Sequence, residues 1–465
     1  MQQLVAKPSL LIFVVLYVLM LVAVGAYYTR KSETSDDFVR AGGKLGSIVL
    51  MGTFLATFTG NGTISGGGNS LTYNYGLWPG ILFAVPSLAG VVALFLLAGK
   101  IRKANAYTVA ELLETKYGHA ARLVSGVIIA LSMISICAYQ YRGLAYILNV
   151  TTGMDVTVAT ALSAVLIIFL CYSGGLKSVA VTDALSAFIM LFGIVLATPF
   201  VIKAAGGWDQ AVAANLEMNP QSMTLMGGQT FFGFLSGYLP LFFLSLGDQN
   251  LYQRIAAGEK DNTVKRGFAG WFLGLIIVVP LVAVIAFCAK AIFGTNISAA
   301  MAFMSTTTVI PTFVGGILLA ASAAFIITTG DSYLLSGVTN LTYDIYTEVI
   351  NKNATDKQKL NFTRAAILVC GVIAYILLQF FPSVLAIQYW SYTIYGAGIT
   401  PALIGALCWK KVTKAGGIAS MVCGTLVTIL YEATGQPLHI ATVLIAVPVA
   451  VVVLIAVSLA TQKNN

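Results

Sequence analysis

Charge is scarce in this chain: Asp, Glu, Lys and Arg together make up 9% of 465 residues. A soluble domain of ordinary composition carries about a quarter of its residues charged, so an aqueous globule is excluded. Histidine is scarcer still, because His119 and His439 are the only two and both sit at the edges of apolar runs. Without an HExxH helix or a visible Cys/His constellation, an intramembrane enzyme has no residues to run on. The six cysteines (Cys137, Cys171, Cys288, Cys370, Cys408, Cys423) fall inside apolar runs with no CxxC pair or metal-ligand spacing. They read as small packing residues. Long polar stretches are missing too: the connections near 205–228 and 248–265 are too short to fold alone, which leaves no signalling domain for a sensor.

What the chain does have is apolar length. Hydrophobic residues make up 58%, the mean hydropathy is +0.88, and lipid must be the solvent. Thirteen apolar runs lie at 8–28, 44–72, 77–100, 120–150, 155–174, 176–204, 229–247, 266–294, 311–348, 361–381, 384–409, 413–433 and 439–461. Most exceed the ~20 residues that a helix needs to cross a bilayer, so an all-α membrane protein with tilted or kinked helices is expected. The run from Pro8 to Tyr28 is longer than a signal-peptide core and lacks an upstream basic cluster, and is read as a mature helix. All 26 basic residues except Lys7, Lys203, Lys290 and Arg142 fall in alternate loops or at the C-terminus. That asymmetry places the N-terminus outside and the C-terminus inside a cytoplasmic membrane. The net charge of +9 is therefore a topology signal, and no nucleic-acid partner is expected.

A helix in hydrocarbon must satisfy its own backbone, and Phe58-Thr59-Gly60-Asn61-Gly62-Thr63-Ile64-Ser65-Gly66-Gly67-Gly68-Asn69 is a poor sequence for doing so. Unwinding there frees carbonyls that suit a hard cation, whereas the bland alternative is close helix packing through small residues. The charge pattern sends the 44–72 run outward and the 229–247 run inward, and five runs begin at each. Two five-helix repeats of opposite topology follow, roughly 44–204 and 229–409, flanked by a peripheral helix at 8–28 and two more over 413–461, all within one transmembrane domain spanning 1–465. In the second repeat Gly233, Gly237 and Pro240 mark where a matching break is expected.

The ninth run is the most chemically loaded. Thr328, Asp331 and Ser332 share a helical face that Thr329 borders. Hydroxyls and a carboxylate without His or Cys suit Na⁺, while Thr bonding back to its own helix is the structural alternative. Asp183 stands two turns into the sixth run, either as a cation ligand or in a salt bridge at the inner interface. Arg142, in the fourth run beside Gln140 and Tyr141, either snorkels outward, closes an outer gate or contacts a solute. Sequons such as Asn61-Gly62-Thr63 and Asn340-Leu341-Thr342 fall inside runs, so no glycosylation is assigned.

Four stretches taken in order resemble the sodium:solute symporter family of sugar, sialic acid, proline, pantothenate and choline transporters. They are Ser35-Asp36-Asp37-Phe38-Val39-Arg40-Ala41-Gly42-Gly43, Gly174-Gly175-Leu176 through Thr182-Asp183, Asp248-Gln249-Asn250-Leu251-Tyr252-Gln253-Arg254, and Thr328 through Asp344-Ile345-Tyr346. The resemblance covers essentially residues 8–461. It implies a leucine-transporter-like inverted repeat whose central sodium site takes carbonyls of Ala56, Thr59 and Phe325 and hydroxyls of Thr328 and Thr329, where the family usually has Ser. It implies a possible second sodium or proton site at Asp183, Thr328 and Ser332, with Asp331 where members that bind two ions carry Ser. The family's solute face falls on Phe58, Gly60, Asn61 and Thr63. An acidic residue at the Asp331 position resembles the choline branch and leans toward an amine-bearing solute, although that branch has Trp where Phe58 stands.

The expected mechanism is a secondary active transporter in which Na⁺ and a small organic solute stabilise one another's binding before alternating access carries both inward. Proton coupling through Asp331 or Asp183 is the alternative within that class. A sodium-conducting channel is the alternative outside it.

Overall fold

The computed structural model describes residues 2–29, 45–104, 106, 108–173 and 176–462. The stretch Ser35 to Gly43, the pair Gly174-Gly175 and the charges Arg30, Lys31, Arg40, Lys44 and Lys463 lie outside the described residues. Among those described there is one isolated bridge, between Leu45 and Gly258, and otherwise helix. Ten helices are long and apolar enough to cross a membrane, and an eleventh span is a pair bent by 48°.

In chain order the helices are α1 (Leu11–Thr29), α2 (Ser47–Phe58), α3 (Gly67–Tyr75), α4 (Leu77–Leu82), α5 (Ala84–Ala104), α6 (Val109–Tyr117), α7 (His119–Thr152), α8 (Val156–Ser173), α9 (Leu176–Ala204) and α10 (Trp208–Met218). The second half contributes α11 (Phe231–Gly247), α12 (Gln249–Ala257), α13 (Asp261–Phe293), α14 (Thr312–Asn340, continued by a wide turn over Leu341–Ile350) and α15 (Asp356–Leu378). The chain closes with α16 (Val384–Gly398), α17 (Thr400–Cys408), α18 (Lys414–Ala433) and α19 (Val443–Thr461).

Burial sorts these helices. From Leu318 to Asn340 every residue of α14 is buried, so this helix, sheathed by α1, α7 and α9, is the axis of the bundle. Helices α5, α8, α9 and α15 instead turn large apolar side chains outward, among them Leu96, Val165, Phe188 and Val369. Those belts match lipid, the only solvent that leaves such side chains at no cost. Where helices start at an aqueous edge, side chains cap them: Thr108 accepts from the Glu111 amide, Ser383 from Ala386 and Thr413 from Gly416. Each satisfies one of the four orphan N–H groups of a helix start.

Four expectations change. The break expected at Gly233, Gly237 or Pro240 is not there; α11 runs through all three, and the helix is interrupted at Asp248 instead, without a sharp bend. There the Asp248 carboxylate caps the new helix by accepting from the Asn250 amide at 2.8 Å, which gives the interruption a local reason that Pro240 lacks, since neighbours in a bundle absorb a proline kink. The stretch 248–265 is not loop but holds α12, which is buried almost throughout. Arg254, counted among the loop charges, is fully buried within it. Lastly, Cys408 is exposed and Cys423 half-buried, so only the other four cysteines are core packing residues.

Close helix crossings rest on glycine. A Cβ on Gly52 of α2 would lie 2.4 Å from the Ala184 Cα of α9, whereas one on Gly99 of α5 meets nothing within 4 Å. Gly52→Val is expected to lower the thermal midpoint of purified protein, in line with overpacking costs of about 1–3 kcal/mol, while Gly99→Val leaves it unchanged.

Candidate functional site

The bent span owes its break to what surrounds it. Helix α2 ends at Phe58; Thr59 takes φ −98° and ψ 87°, and a wide π-type turn over Gly62–Gly66 leads into α3. Gly60 lies so close to α14 that a Cβ would come within 2.4 Å of Thr329 Oγ1. That close approach is available to glycine alone.

At this contact five oxygens converge. The Ala56 carbonyl accepts from Thr328 Oγ1 at 3.3 Å and Thr329 Oγ1 at 3.1 Å, and the same hydroxyls donate to Ala324 at 2.5 Å and Phe325 at 2.8 Å. Each hydroxyl has one hydrogen and two carbonyls competing for it. Thr59, at the break itself, keeps its Oγ1 buried without a hydrogen-bond partner. Ala56, Phe325, Thr328 and Thr329 are thus in mutual contact. The set is oxygen throughout, and among the described residues no cluster of three His, Cys, Asp or Glu side chains exists to hold a transition metal. Such a set fits an alkali cation.

One turn nearer the Lys- and Arg-rich end lies a buried ionic network. Asp183 Oδ2 accepts from Thr53 at 2.6 Å, Thr57 at 3.0 Å and Arg254 Nη2 at 3.2 Å. Asp183 and Arg254 are both fully buried, so the salt-bridge alternative for Asp183 is the one present, deep inside the protein. Ser332 Oγ accepts from Arg254 Nη2 at 2.9 Å. Asp331, 7% exposed, has an Oδ1 with no hydrogen-bond partner. The residues of the expected second site therefore divide: Thr328 faces Ala56, while Arg254 joins Asp183 to Ser332.

The solute-face residues separate as well. Asn61 turns to α7, its amide N–H donating to Gln140 Oε1 at 3.0 Å and its Nδ2 to the Tyr139 carbonyl at 2.6 Å. Thr63 is buried in the π turn, its N–H bonded to the Gly60 carbonyl at 2.9 Å. Phe58 points elsewhere, edge-on to Trp271 of α13 at 5.2 Å, where it extends the stacked rings of Phe54 and Phe268. Tyr141 donates to the Gly371 carbonyl on α15, on a different face of α7 from Gln140. Arg142 reaches the Phe381 carbonyl between α15 and α16 at 3.4 Å.

Sequence reasoning missed Gln388, Tyr139 and Tyr392. The Gln388 amide donates to the Gly62 carbonyl at 3.1 Å and accepts from the Gly67 N–H at 3.2 Å, bracketing the unwound turn. Beside it the Tyr139 and Tyr392 hydroxyls pair at 3.0 Å. An amide inside the run 384–409 was the available signal, since a polar side chain at membrane depth needs a partner. It also missed the partners of α12, where Ser336 donates to Gln253 Oε1 at 2.7 Å and Tyr333 to Asp248.

The chain is similar over most of its length to known transporters. The model of the sodium:solute symporter family matches residues 38–424, and the chain belongs to that family. It is 23% identical over 456 residues to the sodium/proline symporter of Escherichia coli K12, covering 93% of this chain and 89% of that one. The sodium/proline symporter of Haemophilus influenzae is 26% identical, with 91% and 88% covered. In fold the chain is similar to a Na⁺-coupled sialic acid symporter solved in a substrate-bound outward-open state, with TM-score 0.81, 17% identity and 98% of both chains covered. A nucleobase-cation-symport-1 family transporter in a closed conformation gives TM-score 0.59 at 10% identity, with 91% and 95% covered. The protein is therefore a multi-pass transporter of the cytoplasmic membrane, not an enzyme, and sodium is its coupling ion. The channel reading finds no support.

Removing the Gln388 amide would leave one buried carbonyl and one N–H unpaired, each costing roughly 1–3 kcal/mol. Gln388→Leu is expected to lower the thermal midpoint markedly, and Gln388→Asn, one methylene shorter, to recover only part of the loss.

Proposed function

We propose that this sodium:solute symporter carries a small amine-bearing solute inward, by alternating access across thirteen helices with the N-terminus outside and the C-terminus inside. The reading rests above all on the Ala56 carbonyl meeting both threonine hydroxyls of α14 beside the break at Gly60. A sodium ion held there takes the lone pairs of Ala56, Thr59, Phe325, Thr328 and Thr329 and ties α2 to α14. With the break so ordered, Asn61, Thr63, Gln140 and Gln388 present a fixed polar wall, and the solute binds more tightly. The coupling is reciprocal, because each ligand must favour the other's site by the same factor.

Repeats over 44–204 and 229–409 support rocking of one bundle against the other. Each opens on an interrupted helix, at Thr59-Gly60 and at Asp248. A membrane potential of 100 mV contributes about 2.3 kcal/mol per sodium moved inward, so transport is electrogenic for a solute without net charge. Amide and phenol groups around Asn61 suit a zwitterion, which asks for donors and acceptors but no opposing net charge. Similarity to sodium/proline symporters points the same way.

Thermal stabilisation of purified protein by proline, neutral amino acids, choline, a sugar and sialic acid, each in sodium and in potassium, identifies the solute. An amino or imino acid that stabilises only in sodium is expected; stabilisation by the sugar or sialic acid alone overturns the solute class. Thr328→Val and Thr329→Val are each expected to raise the sodium concentration for half-maximal stabilisation about tenfold, the equivalent of ~1.4 kcal/mol. Unchanged sodium dependence in both variants removes these hydroxyls from the ion site.

A further inference from the structure

On the lipid-facing side of the bundle, α5 and α13 leave between them a slot of about 370 Å³. Its walls are Val91, Val92 and Phe95 from α5 and Phe268, Phe272 and Leu273 from α13, and carbon alone lines it. Val92, Phe95 and Leu273 are exposed there. The Phe268 ring is fixed by stacking on Phe54 of α2 at 5.0 Å, which keeps the slot from being filled by its own wall. Toward the Lys- and Arg-rich end the slot runs into a second, partly polar cavity of about 310 Å³ that shares Phe95 and Lys265 with it. A Cβ on Gly99, which lines this cavity, would meet nothing within 4 Å.

The charged residues of the second cavity are Arg102, Asp261 and Lys265. Arg102 is engaged: its Nε pairs with Asp261 at 2.7 Å, and its Nη1 donates to the Gly258 and Ile255 carbonyls at 2.5 and 3.1 Å. That pair cancels, which leaves the Lys265 ammonium as the net charge of the cavity. Among the described residues no carboxylate pairs with it. Glu259, close by in sequence, is taken by Lys260 at 3.4 Å, whereas Lys103 and Arg266 are exposed cations. Lys265 precedes Phe268 by three residues and Ala269 by four, so it stands on the face of α13 that borders the slot. It also stands at the basic end of the span, the depth at which headgroups lie. Lipid tails are as stable in the bilayer as in an apolar slot, so the slot by itself selects no lipid. An unpaired cation at its mouth does select, because it favours a headgroup of net negative charge over a zwitterionic one.

We propose that this groove binds one anionic phospholipid, with an acyl chain in the slot and the phosphate on Lys265. The site shares no residue with the ion or solute sites. Its chain rests on Phe268, and through the stack on Phe54 the lipid adjoins the helix that carries Ala56.

Native mass spectrometry of the full chain, released from detergent after titration with phosphatidylglycerol, phosphatidylcholine or glycerol 3-phosphate, counts and ranks what binds. Wild type is expected to take one phosphatidylglycerol about fivefold more tightly than phosphatidylcholine, the effect of one lysine beside an anionic headgroup. Lys265→Gln is expected to bind the two lipids equally. Ala269→Trp, which fills the slot, is expected to lose the first phosphatidylglycerol with Lys265 intact. Arg266→Gln removes a neighbouring charge outside the groove and is expected to keep the preference. All three substituted side chains are exposed, so folding does not depend on them. Equal affinities in wild type overturn the proposal, as does a preference that survives Lys265→Gln or a first lipid that survives Ala269→Trp. An equal loss in Arg266→Gln and Lys265→Gln overturns it by showing general surface attraction. Displacement of phosphatidylglycerol by glycerol 3-phosphate overturns it too, since the phosphate then binds without a chain in the slot.

Discussion

Hydrocarbon offers a backbone no partner, and the arrangement of this bundle follows from that single constraint. A break in a spanning helix is tolerable only where the protein supplies what water would have supplied. Around Thr59 to Gly67 it does so from three directions: hydroxyls of α14 reach the Ala56 carbonyl, Gln140 of α7 accepts the Asn61 amide, and Gln388 of α16 serves both Gly62 and Gly67. The unwound segment is thus the point where α2, α7, α14 and α16 are coupled. An ion or solute that rearranges these bonds acts on four helices at once, which is what a carrier needs in order to convert binding into rocking.

The second constraint is the cost of charge. A buried ion pair adds little net stability, yet breaking it by losing one partner costs about 3–5 kcal/mol. Asp183 and Arg254 therefore hold α9 and α12 together less by adding stability than by penalising separation. The pair is located one turn from the threonine hydroxyls, on the side of the Lys- and Arg-rich end. Thr57, which donates to Asp183, and Ser332, which accepts from Arg254, meet at 3.5 Å and tie α2 to α14 at the same level.

Much of this was legible in the residues. Thr328 and Thr329 stand out because hydroxyls beside Asp331 interrupt an apolar run, and Gly60 stands out because glycines there weaken a helix that lipid would otherwise favour. Other features were illegible for definite reasons. Arg254 sits in a polar stretch beside Lys260 and Lys265, so composition assigned it to a loop. Only its partners on α2, α9 and α14 reveal it as buried. Tyr141 and Arg142 adjoin Gln140 in sequence but turn 100° and 200° away from it on an α-helix, so adjacency does not bring them to Asn61 with Gln140. Proline and glycine in α11 looked like a break, yet α11 runs through them, and the helix is interrupted only at Asp248, whose carboxylate caps the next one.

The sequence by itself determined the solvent, the helical class and the chemical type of ion, because hydropathy, helix length and the oxygen character of side chains are properties of residues taken one at a time or along one face. Tertiary structure alone decided which oxygens meet, that Gln388 braces the unwound turn, and that Arg254 pairs with Asp183. Those are pairings between helices hundreds of residues apart, and no local periodicity encodes the partner that a buried polar group will find.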